Sequence, residues 1–141
     1  MSEEGAAMTV TPVVRDDYSA PFFDGAARGE LMLRYSPSRG TWSPPEARLC
    51  VITHAADLEW RAASGEGTLV SWTVIPGRSR DGTPVPDTIV GIVETAEGPW
   101  LTLRIVNADE VPPAVDRPVR VEFVHPDNSE AVPVARLVAS P

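Results

Sequence analysis

Lysine is missing from this chain of 141 residues: all 12 basic side chains are arginine, set against 20 aspartates and glutamates, for a formal net charge of −8. Nucleic-acid binding draws most of its affinity from cations that release counterions from phosphates, so this balance excludes a broad nucleic-acid footprint. It also disfavours a free-standing cradle for a large anionic cofactor, although a local arginine pocket stays open. Cysteine is reduced to Cys50, which cannot form an internal disulfide and points to a reducing compartment. No apolar run is long enough to cross a membrane, and the opening MSEEGAAMTV is acidic rather than basic, unlike a secretory leader. The expected location is the cytoplasm, with no membrane partner.

Catalytic signatures are equally scarce. No glycine-rich loop of the Walker or dinucleotide type occurs. Cys50, His54 and Asp57 are the only clustered metal-ligand types, short of the four Cys or His donors of structural zinc. Cys50 lies among apolar Leu49, Val51 and Ile52 with no supporting motif, which reads as a packed thiol and not a nucleophile. His125, in the turn-forming HPDN, reads as a surface residue. The carboxylate pairs Asp16-Asp17, Glu94/Glu97 and Asp109-Glu110 fall in a tail or loops, where solvated charge is expected. The chain therefore offers no catalytic residue and no metal site.

What is present is a β-rich pattern. Hydrophobic residues make up 43% of the chain, enough for one core. Residues 1–18 lack periodicity and read as a tail or docked arm. Ser19 as N-cap, Pro21 in the first turn and Gly29 as terminator bracket a short helix whose apolar face is Phe22, Phe23, Ala26 and Ala27. That face either packs on the domain or anchors a partner. A strand is expected over 30–35, and 36–56, rich in Ser, Pro and Gly, reads as loop. Further strands are expected at 57–63, 67–75, 88–95, 100–106, 118–124 and 132–138. Val70, Trp72 and Val74 alternate with Leu69, Ser71 and Thr73, which would put the first three on one face. Gly65 and Gly67 mark a bend or bulge. Short strands with almost no helix indicate a sandwich or small barrel, and 57–75 fits the long, bent first strand of a five-stranded OB barrel. The segment 76–87, with Arg78 and Arg80, reads as an exposed loop.

These residues carry a family resemblance. The run SAPFFDGAARGELMLRYS at 19–36 resembles the opening helix of the OB-fold, acyl-CoA-associated family known as domain of unknown function thirty-five, with Phe22, Phe23, Gly29 and Leu31 on its pattern. Family members continue with a rubredoxin-like zinc ribbon of paired CxxC motifs. Here Tyr35-Ser36-Pro37-Ser38, Trp42-Ser43-Pro44-Pro45, Cys50-Val51-Ile52-Thr53 and Leu58-Glu59-Trp60 are similar to it in order. Ser64-Gly65-Glu66-Gly67-Thr68, Ser71-Trp72-Thr73-Val74, Pro118-Val119-Arg120-Val121 and Val132-Pro133 resemble its barrel motifs. Three ligand positions have become Tyr35, Ser38 and Thr53, leaving Cys50 as a remnant, so the ribbon is expected to be degenerate and metal-free. Packing of Tyr35, Trp42, Leu49 and Ile52 is the expected substitute for the metal.

The resemblance implies a mostly β protein: a tail or arm at 1–18, a helix with a degenerate zinc-ribbon-like segment at 19–56, and an OB-fold barrel at 57–141. It implies a non-catalytic accessory subunit, in a hetero-oligomer with a thiolase-like protein acting on acyl-CoA thioesters. The chemistry would be acyl transfer or retro-aldol cleavage, as in steroid or lipid side-chain metabolism. Phe22, Phe23, Trp42, Pro44 and Pro45 are the candidate interface residues, because aromatic side chains dominate buried interface centres. Arg78 and Arg80 are the candidates for CoA phosphates, with acyl-CoA shared with the partner and no cofactor of the chain's own. The alternatives are a standalone OB protein that binds acyl-CoA or another small molecule, and a single-stranded nucleic-acid module. The latter needs a basic groove and stacking aromatics, against four Trp, two Tyr and three Phe here.

Overall fold

The computed structural model describes residues 13–49, 54, 56–79 and 81–139. It contains helix α1 (Ala20–Ala27) and strands β1 (Met32–Ser36), β2 (Thr41–Ser43), β3 (Glu59–Ala62), β4 (Glu66–Ile75), β5 (Thr88–Thr95), β6 (Trp100–Ile105), β7 (Pro118–Val124) and β8 (Val132–Leu137). A three-stranded sheet runs β2-β1-β3, and the other strands close a barrel in the order β4-β5-β6-β8-β7. Four of its contacts are antiparallel, while β6 and β8 meet in parallel, the arrangement of an OB fold.

The barrel core is built from the inward positions of every strand: Leu69, Val93, Leu103, Ile105, Val119, Val121, Ala135 and Leu137. Leu31 and Leu33 join the same cluster from the three-stranded sheet, so the two sheets share one core. Closure between β6 and β8 is thin, with one registered pair, Ile105 and Ala135. Asn107 completes it. Its buried side chain donates to the Leu137 carbonyl at 2.9 Å and accepts the Leu137 N–H at 2.8 Å, acting as one more rung of backbone.

Three sequence expectations change in detail. The 57–75 run is two strands in two sheets: Glu59–Ala62 pairs with β1, and the chain enters the barrel only at Glu66. Gly65, at φ +80°, makes the turn between them. The bulge lies further on, between Leu69 and Ser71, and it transfers Leu69 to the face that carries Trp72 and Val74. The 36–56 loop contains β2, because the tight turn at 37–40, with Gly40 at φ +67°, brings Trp42 beside Tyr35.

Helix α1 ends as its glycine dictates. Gly29 sits at φ +81°, its N–H bonds the Ala26 carbonyl at 3.0 Å, and the Glu30 N–H reaches Gly25 at 2.8 Å, a Schellman closure. At the other end Pro21 occupies the first turn, but the Ser19 side chain makes no cap bond. It accepts the Asp16 N–H at 3.0 Å while Asp16 accepts the Ser19 N–H at 2.8 Å, which holds the Asp16 carboxyl below its usual range. The end of the N-terminal segment is docked. Arg15 bonds both oxygens of Glu130 at 2.9 Å and Asp24 at 2.6 Å, tying α1 to the β7–β8 turn.

Candidate functional site

Three surfaces hold the residues singled out by sequence. The first is a groove of about 340 Å³ between α1, β3 and the 45–48 segment. Antiparallel register sets Arg34 of β1 opposite Trp60 of β3, so both project from the sheet face that α1 covers. Phe23 is buried against that face, while Phe22 lies half-buried with its ring 5.2 Å from Phe23 and 6.4 Å from Trp60. Tyr18 stands 6.0 Å from Trp60 and donates its hydroxyl to the Ala47 carbonyl. Pro45 and Arg48 form the opposite wall.

Two guanidiniums are laid on these rings. Arg34 is 4.6 Å from the Trp60 centroid and 5.3 Å from that of Tyr18, and Arg48 lies 3.8 Å from Tyr18. Arg34 is 9% exposed and donates to the Leu58 carbonyl at 3.2 Å, while its Nε has no hydrogen-bond partner. The Trp60 and Tyr18 rings are therefore engaged from within, and the groove offers a visitor Phe22 and Pro45, with Asp16, Glu46 and Arg48 around them. Single-residue reasoning missed Tyr18, Arg34, Arg48 and Trp60 as a group. The signal lies in strand register, which pairs positions 26 residues apart and cannot be read from local periodicity.

The second surface is a depression of about 320 Å³ where Trp42 and Pro44 face the β5–β6 turn at Glu97–Pro99. Trp42 packs edge-on against Tyr35, centroids 4.9 Å apart. The five interface candidates thus divide: Phe22, Phe23 and Pro45 on one depression, Trp42 and Pro44 on the other. Glu97, expected as solvated charge, accepts the Ser64 N–H at 2.8 Å and ties the β5–β6 turn to the link between the sheets.

The third surface is the 76–87 loop. Arg78 is exposed there and lines neither depression; Arg80 lies outside the described residues. Cys50, Ile52 and Thr53 lie outside them too.

Of the four positions that resemble ribbon ligands, Tyr35 and Ser38 are described. The Tyr35 ring is taken up by Trp42 and by Arg61, whose guanidinium is 3.9 Å from its centroid. Asp57 clamps the turn that follows: it accepts the Ser36 hydroxyl at 2.7 Å and the Ser38 N–H at 3.0 Å. These bonds favour the charged carboxylate and lower its pKa to about 2. Leu49, expected to pack here, is half exposed instead. Among the described residues no group of three or more His, Cys, Asp or Glu is arranged to hold a metal. His54 and His125 are both exposed. No helix among the described residues is long and apolar enough to cross a membrane.

Comparison with known proteins follows the barrel. Residues 60–124 match the family model of the ChsH2 C-terminal OB-fold domain. Among solved structures the chain is similar to the "Ltp2-ChsH2(DUF35) aldolase", with a TM-score of 0.72 and 22% identity, covering 90% of this chain and 98% of that one. It is also similar to a protein of unknown function from the DUF35 family of Sulfolobus solfataricus, with a TM-score of 0.59 and 12% identity, covering 88% of this chain and 86% of that one. A search of curated proteins returns no match. Barrel order, the matched segment and the neighbouring structures agree on the fold: the chain has an OB fold similar to that of DUF35 structures.

Proposed function

We propose that this protein is a non-catalytic accessory subunit of a thiolase-like enzyme acting on acyl-CoA thioesters, by acyl transfer or retro-aldol cleavage. The observation that carries the proposal is the fold match over 98% of a chain whose name joins ChsH2(DUF35) to Ltp2 in an aldolase. The two depressions beside α1 and β2 support it, as seats for side chains of another protein. In this reading Phe22 and Pro45 receive one anchor, Trp42 and Pro44 another, and Phe23 backs the groove from beneath. Arg78, exposed in its loop, is the described candidate to meet CoA phosphates at the subunit boundary, and Arg80 follows it in sequence. The ribbon segment folds without metal, held by Asp57 and the Tyr35–Trp42 pair. Elemental analysis of protein purified without added metal should find no stoichiometric zinc.

The nucleic-acid alternative fares poorly on its own ground. An OB fold binds strands across its second and third barrel strands. Here the outward positions of β5 and β6 are Val90, Ile92, Glu94, Trp100, Thr102 and Arg104, which set one cation against one carboxylate. Size-exclusion chromatography of the untagged native protein tests the proposal. Co-elution with a thiolase-like subunit is expected, whereas calorimetry of the isolated chain with an acyl-CoA should give weak or no binding. Tight binding by the isolated chain would favour the standalone binding protein instead.

A further inference from the structure

Strand β4 changes its neighbours along its length. Over Glu66–Thr68 it pairs with β7, and the last bond in that lane runs from the Asp116 N–H to the Leu69 carbonyl. From Ser71 to Ile75 it pairs with β5 alone, and β5 pairs in turn with β6, so this stretch is the margin of the barrel wall. Among the described residues no backbone bond reaches its other edge. All five residues are exposed, those of one face and those of the other. Natural edge strands are blunted by charge, proline or cover. The run Ser71-Trp72-Thr73-Val74-Ile75 carries no charge and no proline, and no described residue covers it.

This edge is complementary to itself. A second β4 laid antiparallel in the open lane, about a two-fold axis at Thr73, sets Trp72 opposite Val74, Ser71 opposite Ile75 and Thr73 opposite Thr73. Trp72 is 39% and Val74 49% exposed, and the pairing lays the indole of each copy on the valine of the other, an aromatic–β-branched pair that sheets favour. Neighbouring registers fail. With the axis at Val74, Pro76 falls opposite Trp72 and has no N–H for the ladder. With the axis at Trp72, Ile75 falls opposite Leu69, whose edge Asp116 already holds. The axis at Thr73 uses all five open residues and meets neither obstacle.

Charge agrees with that register. Pro76 turns the incoming chain out of the lane, and Arg78, two residues on, arrives where Asp116 closes the lane of the other copy. Both side chains are exposed, and none of the ion pairs among the described residues uses either. Arg117, next in sequence, is turned away to the Val138 carbonyl at 3.4 Å. Val115, exposed on the same rim, meets the incoming Ile75. The two-fold makes each contact twice, so one sequence supplies both halves of every match. The net charge of −8 opposes self-association at long range, but physiological salt screens charges more than about 8 Å apart, which leaves the decision to the edge. We infer that two copies of this chain pair through Ser71–Ile75 in a symmetric dimer, joining two barrel walls into one sheet. None of these residues lines the depressions beside α1 and β2, so the dimer leaves both open and does not depend on the subunit reading.

Sedimentation velocity of the purified full-length chain over a concentration series tests this, with amide exchange as the local readout. A reversible dimer is expected, with exchange at 71–75 slowing as it fills. Val74→Lys should give a monomer of unchanged circular dichroism. Arg78→Asp sets like charges together twice and should weaken the dimer about 30-fold, as should Asp116→Arg. The double variant should restore it to within about threefold, because both charges belong to one chain. A chain that stays monomeric at every concentration overturns the dimer, and so does a dimer that Val74→Lys leaves intact. A double variant as weak as the single ones overturns the register about Thr73. Protection of 71–75 that appears only with a different protein bound assigns the edge to that protein and overturns the proposal too. A monomer leaves the proposed function standing, and failure of a thiolase-like subunit to co-elute leaves the dimer standing.

Discussion

Asp57 is the residue on which the ribbon-like segment turns. Its carboxylate is a fixed point at the Tyr35–Ser38 turn, tying the hairpin to the chain entering β3. Its pKa, lowered to about 2 from an ordinary 3.8, gives the sign of the pH dependence. The folded state binds this proton less readily than the unfolded one, so the contribution is fully present above pH 3.8 and is lost as pH falls toward 2. Carbon NMR titration should find the low pKa, and Asp57→Asn should remove this share of the acid-induced loss of stability. Gly29 is a second such position. Its φ of +81° means that Gly29→Ala should cost about 1–2 kcal/mol in urea unfolding, although a Cβ there would meet no neighbour. Gly29 was legible in the sequence because a helix stop has a local signature. Asp57 was not, because its partners lie 19 and 21 residues back, and only the fold brings them together.

Among the elements, the β6–β8 contact is the weak seam of the barrel and Asn107 its rivet. Asn107→Ala would leave the buried N–H and carbonyl of Leu137 without partners, a cost of about 1–3 kcal/mol for each group left unsatisfied. Chemical denaturation, with amide exchange at Leu137 as the local probe, checks this. Leu69→Ala, at a position with no exposure in the centre of the core, should cost about 2–5 kcal/mol. Alternation identified β5, β6, β7 and β8 to within a residue or two, because each is a regular strand bounded by turn residues. It failed on β4, where the bulge at Val70 inverts the parity and sends Trp72 to the core side. It also failed on β2, whose three residues Thr41–Ser43 are too few to show a period. A bulge and a short strand are stabilised by their neighbours in the sheet, and those neighbours are invisible to a window of local sequence.

The whole molecule combines a closed barrel with surfaces that the described residues leave open. The motifs spread over 19–138 foretold the OB architecture because each fixes a turn or a core position. The candidate interface was legible only in part. Phe22 and Pro45 do face a groove, but the Arg34–Trp60 stack that shapes it and the stretch of β4 beyond its pairing with β7 are products of register. The central claim, that this chain assists a thiolase-like enzyme and performs no chemistry itself, is tested most directly by reconstitution. The thiolase-like subunit is separated from this chain, and turnover of an acyl-CoA thioester is measured for each alone and for the two recombined. Activity should be low in the enzyme subunit alone, absent in this chain, and restored on mixing. Turnover by this chain alone, or an enzyme subunit indifferent to its presence, would contradict the account.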